Sequence, residues 1–98
     1  MVVMELSELQ DVIRRTYVER DTARGVDGTF RWMVEEVGEL AKALRAADPG
    51  ELRHEVGDVL AWLTSVANVC GVDLEDAASR YREGCPACGR TPCACPPA

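Results

Sequence analysis

Aromatic residues are scarce in this chain, with one Phe, two Trp and two Tyr among 98 residues. Runs of alternating β-branched residues are missing too, so strands have little support and an all-α fold is expected. Long apolar runs are also absent. The longest stretch without a charge, Val59 to Val72, has 14 residues, short of the roughly 18–20 that cross a bilayer. The opening Met1-Val2-Val3-Met4-Glu5 lacks both the basic region and the apolar length of a signal peptide. A cytoplasmic protein with no membrane partner is the expectation. Basic residues are outnumbered, eleven against seventeen acidic, for a net charge of -6. That balance argues against a nucleic-acid polymer as partner.

What is present suits one small domain. The apolar share of 47% is too high for a disordered chain. A chain this short buries only about 60–65% of its unfolded surface, so oligomerisation, a metal or disulfides are expected to supplement its core. Leu6, Leu9, Ile13 and Tyr17 form a stripe at helical spacing, which predicts a first helix over Leu6 to Arg20, with Ser7 or Glu5 near its start. Asp21 to Gly28 holds two glycines and two aspartates and reads as a loop. A second helix is expected from Thr29, as N-cap, to Ala47, ended by Asp48-Pro49-Gly50. A third follows from Glu51 to Cys70 and stops at Gly71. A short fourth starts at Asp73, with Leu74, Ala77, Ala78 and Tyr81 on one face. The expected division is a helical domain over 1–83 and a cysteine-rich tail over 84–98.

The second helix carries Glu35-Glu36-Val37-Gly38-Glu39 and the third Glu55-Val56-Gly57-Asp58. Glu36 with Glu39, and Glu55 with Asp58, are pairs three residues apart, so each pair projects from one helix face. On a helical wheel Leu52, Val56, Val59, Leu60, Leu63, Val66, Ala67 and Cys70 fill one sector of the third helix. Glu55 and Asp58 lie just past its border with Trp62 between them. Glu36 and Glu39 flank the direction of Trp32 and Ala43. Antiparallel packing across the short turn brings both pairs to one seam. At ~5 Å and an effective dielectric near 20, each like-charge pair costs about 3 kcal/mol, so the carboxylates protonate or hold a divalent cation. Oxygen ligands without histidine in the motif favour Mg²⁺ or Mn²⁺ over zinc, and Mg²⁺ so held completes its shell with waters and phosphates. The competing reading is a pair of solvated acidic helix faces.

The tail, Cys85-Pro86-Ala87-Cys88-Gly89-Arg90-Thr91-Pro92-Cys93-Ala94-Cys95, gathers four of the five cysteines. Cys-Pro-x-Cys-Gly resembles a zinc knuckle, and Cys93 and Cys95 can supply the remaining thiolates of a tetrahedral Zn²⁺ site on Cys85, Cys88, Cys93 and Cys95. Reduced free thiols and disulfides are the alternatives. Cys70 reads as a small core residue.

The pattern EExxE, 15 residues, then ExxD resembles the MazG-type all-α nucleoside triphosphate pyrophosphohydrolases. The likeness takes in Asp21-Thr22-Ala23-Arg24-Gly25, Thr29-Phe30-Arg31-Trp32, the apolar Val59–Asn68 stretch, Arg80-Tyr81 and the cysteine-rich end, as in a short single-domain branch of the family. It implies a four-helix bundle that assembles as a homodimer or homotetramer. It also implies cleavage between the α- and β-phosphates of a nucleoside triphosphate, giving monophosphate and pyrophosphate, in nucleotide-pool house-cleaning. By motif position Glu36, Glu39, Glu55 and Asp58 are the Mg²⁺ ligands, and Glu35 orients the attacking water or helps to hold a further ion. Lys42 and Arg80 are candidates for phosphate, each with a solvated side chain as its alternative. Trp32 and Trp62 stack on a base or belong to the core. Asn68 reads a base edge or is a polar face residue, and His54 is a surface side chain beside the site. Phosphoribosyl-ATP hydrolysis on the same fold, and a non-catalytic helical oligomer with a metal-binding tail, are the competing functions.

Overall fold

The computed structural model describes residues 3–97. Three α-helices run in order, α1 (Leu6–Ala46), α2 (Pro49–Cys70) and α3 (Leu74–Ala78), followed by a 3₁₀ turn at Ser79–Tyr81. No strand occurs among the described residues, so the fold is all-α, as composition implied.

The first two expected helices are one element. Helical residues continue through 21–28, and only Gly25 departs, at φ 73° and ψ -177°. Only glycine adopts that backbone conformation readily, and a Cβ there would meet nothing within 4 Å. The expected loop is therefore a one-residue kink between two arms, 6–24 and 26–46. Thr29 is not an N-cap; it lies inside the second arm and is fully buried. The other boundaries follow local chemistry. The Asp48 carboxylate accepts from the backbone N–H of Gly50 at 2.9 Å, with Pro49 in the first turn of α2. Gly71, left-handed at φ 71°, ends α2. The Asp73 carboxylate caps α3 through Asp76 N–H at 2.9 Å.

Both arms pack on α2. The first arm crosses its C-terminal half, where Gln10 is buried at the joint. Gln10 Nε2 donates to Asn68 Oδ1 at 3.0 Å and to the Val72 carbonyl at 2.7 Å, and Gln10 Oε1 accepts from Leu74 N–H at 2.8 Å. The second arm runs antiparallel to α2 across the Ala47-Asp48 turn, so that Trp32 meets Trp62.

The core within one chain is small. Its buried apolar residues are Ile13, Ala43 and Ala67, and Thr29, Thr64, Ser65, Asp21 and Gln10 are buried among them. The apolar sector expected to bury α2 does so only in part. Val56, Leu60, Leu63 and Cys70 are exposed, while Thr64 and Ser65 go inside, so Cys70 is not a core residue. Val26, Phe30, Val34, Val37 and Leu44 form a second exposed series along α1. The radius of gyration is 15.6 Å, against about 13 Å for a compact domain of this length. Large apolar side chains and an open shape coincide.

Candidate functional site

The acidic residues of the second arm and of α2 meet where these elements run side by side. Glu36 and Glu39 rise from the second arm, and Glu55 and Asp58 from the facing turn of α2. Oxygen atoms of Glu55 and Asp58 and a ring nitrogen of His54 all lie within 4.8 Å of one another. His54 Nε2 is 3.2 Å from Asp58 Oδ2. Burial raises the Glu36 carboxyl above its ordinary range, and the charges of Asp58 and Glu55, a hydrogen bond shared with Glu55, and the charge of Glu39 push it the same way. Glu55 Oε2 is buried without a hydrogen-bond partner. Among the described residues no Lys or Arg forms an ion pair with these four carboxylates. The cluster thus has excess negative charge, oxygen donors and one buried acceptor left unused, which is a donor set suited to a hard divalent cation.

Next to this cluster lies a cleft of about 190 Å³ lined by Tyr17, Arg20, Asp21, Arg24, Asp58, Ala61, Trp62 and Ser65. Asp58 belongs to both. Asp21 is buried and its Oδ1 accepts from Arg24 Nη2, one helical turn on. The Arg24 guanidinium lies over the Trp62 ring, 4.8 Å from its centroid. Trp62 in turn stacks on Trp32, so the aromatic pair forms a wall beside the carboxylates rather than a closed core.

Other expected site residues fall elsewhere. Glu35 and Lys42 are exposed on the second arm, and neither lines the cleft. Arg80 is exposed after α3, with its guanidinium 5.3 Å from the Tyr81 ring centroid. Asn68 serves the Gln10 joint, and its Oδ1 also accepts from Arg14 Nη2 at 3.1 Å. The Asp21–Arg24 pair was not anticipated, although an i,i+3 acid–base pair is a helical signal; Gly25 and Gly28 disguised it as loop.

In the tail, the sulfurs of Cys85, Cys88, Cys93 and Cys95 all lie within 4.8 Å of one another, a group that could bind a metal. Backbone N–H groups of Ala94 and Arg90 pull the Cys88 thiol down to about 6. The backbone N–H groups of Cys88 and Ala87 lower Cys85, whereas hydrogen bonds with the neighbouring cysteine sulfurs push Cys95 up to about 11.

No helix among the described residues is long and apolar enough to cross a membrane. The family model described as the MazG nucleotide pyrophosphohydrolase domain matches residues 24–84, from Arg24 through both acidic motifs to the start of the tail. Uncharacterized protein YvdC of Bacillus subtilis (strain 168) is 30% identical over 97 residues, covering 82% of this chain and 92% of the relative.

Proposed function

The chain belongs to the MazG nucleotide pyrophosphohydrolase family, and from that premise we propose that it hydrolyses a nucleoside triphosphate to monophosphate and pyrophosphate in a Mg²⁺-dependent reaction, clearing unwanted nucleotides from the pool. The observation that carries this reading is the uncompensated carboxylate cluster of Glu36, Glu55 and Asp58, with Glu39 beside it. Those four residues would hold Mg²⁺, or Mn²⁺ in its place. A cation bound there would neutralise phosphate charge and lower the electrostatic barrier to attack. Glu35, exposed next to Glu36, is assigned to orient the attacking water and accept its proton.

Arg24 and Arg20, on the wall of the cleft that shares Asp58, are placed to meet phosphate oxygens or the nucleoside. Arg24 is held by Asp21 and by the face of Trp62, so its guanidinium is fixed before substrate arrives. Lys42, Trp32 and Arg80 stand as further substrate contacts in an assembled oligomer. A homodimer or homotetramer is supported by the exposed series Val26, Phe30, Val34, Val37 on α1 and Val56, Leu60, Leu63 on α2, which a second chain would cover. Any Zn²⁺ in the tail is separate from this chemistry.

Pyrophosphate release from a panel of canonical, deoxy and damaged nucleoside triphosphates, with and without Mg²⁺, tests the proposal. Mg²⁺-dependent pyrophosphate with a stoichiometric monophosphate is expected for at least one of them. Release of orthophosphate instead, or no turnover across the panel, overturns it.

A further inference from the structure

The four tail cysteines lie outside the carboxylate cluster, and the hydrolysis proposed above makes no use of them. Two sulfur separations are resolved as contacts, Cys85 to Cys95 at 3.7 Å and Cys88 to Cys93 at 3.9 Å. Zinc binds thiolate at about 2.3 Å, and a regular tetrahedron of that radius has edges of about 3.8 Å. The two separations bracket that edge, and all four sulfurs lie within 4.8 Å of one another. An iron–sulfur cluster would interpose its own iron and sulfide and hold the cysteines further apart. A single ion fits.

The backbone is arranged around the same centre. Gly89, left-handed at φ 72°, lets the chain turn so that its N–H donates to the Cys85 carbonyl at 2.6 Å, while Cys85 N–H donates to the Arg90 carbonyl at 3.1 Å. At Gly84, with φ 107°, a Cβ would sit 2.8 Å from the Arg90 carbonyl oxygen. Backbone amides also face the sulfurs. Ala94 N–H donates to Cys88 Sγ and Cys95 N–H to Cys93 Sγ, each at 3.3 Å, the outer contacts that orient metal-bound thiolates. Against this order, no described residue from 84 onward is fully buried, so apolar packing does not hold the tail together. A metal bond supplies what the missing core does not.

We propose that residues 84–95 are a metal-nucleated knuckle in which Cys85, Cys88, Cys93 and Cys95 bind one Zn²⁺ in a closed tetrathiolate shell, organising this segment and leaving no open coordination position for catalysis. The choice of zinc follows from soft thiolate ligands and tetrahedral spacing. The inference stands apart from the hydrolytic reading, since each site has its own ion and its own readout.

The test uses the full-length, reduced protein. Elemental analysis should find about one zinc per chain, and exchange for Co²⁺ should give the thiolate-to-cobalt charge-transfer band and strong visible absorption of a tetrahedral sulfur site. Cys88→Ser and Cys93→Ser, assayed separately, should each lose both the stoichiometric zinc and the cobalt band. Both should also expose the tail to limited proteolysis while helical circular dichroism persists. Absence of zinc together with failure of reduced protein to develop the cobalt band overturns the proposal. So does iron as the stoichiometric metal, or a pair of disulfides as the state of the freshly purified protein. Zinc retained in a protein that releases no pyrophosphate would sink the hydrolytic reading alone.

Discussion

Trp32 and Trp62 lie face to face across the helix hairpin, with ring centroids 6.0 Å apart and planes 17° from parallel. Trp32 is half in solvent, while Trp62 is more enclosed and carries the Arg24 guanidinium on its ring. Trp62→Ala is therefore expected to cost about 2–3 kcal/mol, below the range for a fully buried tryptophan. Trp32→Ala should cost less. Urea unfolding of both variants checks the order, and equal losses would contradict it.

The Gln10 side chain makes three hydrogen bonds that tie the start of α1 to the end of α2 and to α3. Truncation leaves the Leu74 N–H and the Val72 carbonyl without their partner. Gln10→Ala should destabilise by about 2 kcal/mol, and amide hydrogen exchange should quicken at Leu74 before it does along the second arm. Uniform exchange along the chain would count against a local joint.

Gly25 and Ala47 make a contrasting pair. Gly25→Ala places a side chain in a conformation suited to glycine, at a cost of about 1–3 kcal/mol, with no steric clash to add. Ala47 already sits left-handed at φ 55° behind α1, so Ala47→Gly should stabilise by about 0.5–1 kcal/mol. Opposite shifts in melting temperature are the expected result.

Much of this was legible from residue chemistry. Asp48-Pro49 and Gly71 bounded α2 because each end has a side chain or a backbone freedom that no helix interior wants. The acidic spacing placed Glu36 opposite Glu55 and Asp58 because helical periodicity is rigid over one or two turns. The kink was illegible, since two glycines and two aspartates in eight residues look the same whether they make a loop or interrupt a helix once. Thr29 and Thr64 entered the interior because small side chains let the helices approach, while Val56, Leu60 and Leu63 stayed outside. Hydrophobicity alone does not tell a chain's own core from a surface left for another chain.

Asp58→Ala and Glu39→Ala should abolish Mg²⁺-dependent turnover while leaving the helical fold intact or slightly more stable, since each removes a charge that presses on Glu36. The sign of the pH effect follows from Glu36. Its folded value lies above the ordinary carboxyl, so its contribution to stability is complete below about pH 4.5 and is lost as pH rises through the folded value. Metal-free protein should thus lose stability across that window as Glu36 ionises. Glu36→Gln should flatten this part of the profile. A metal-free profile that rises there only because of Glu36, judged by the same variant, would reverse the assignment.

Deleting residues 84–98 should spare the carboxylates, which all lie upstream on α1 and α2. Most Mg²⁺-dependent activity should persist, with a lower melting temperature. Loss of turnover in a truncation that stays folded would show that the tail reaches substrate, with Arg90, its one charged residue after Glu83, the first to examine.

The crowding of Glu36 by Asp58, Glu55 and Glu39 has a calorimetric consequence. At a pH below its raised value, a carboxyl that holds its proton because its neighbours are anionic must surrender it when a cation takes the same oxygens. Loading the site is then an exchange of one ion for another, and the released proton is taken up by the solution. The heat measured on titration should vary with the ionisation enthalpy of the buffer, with a slope equal to the number of protons displaced. Acid should weaken the cation's hold in proportion.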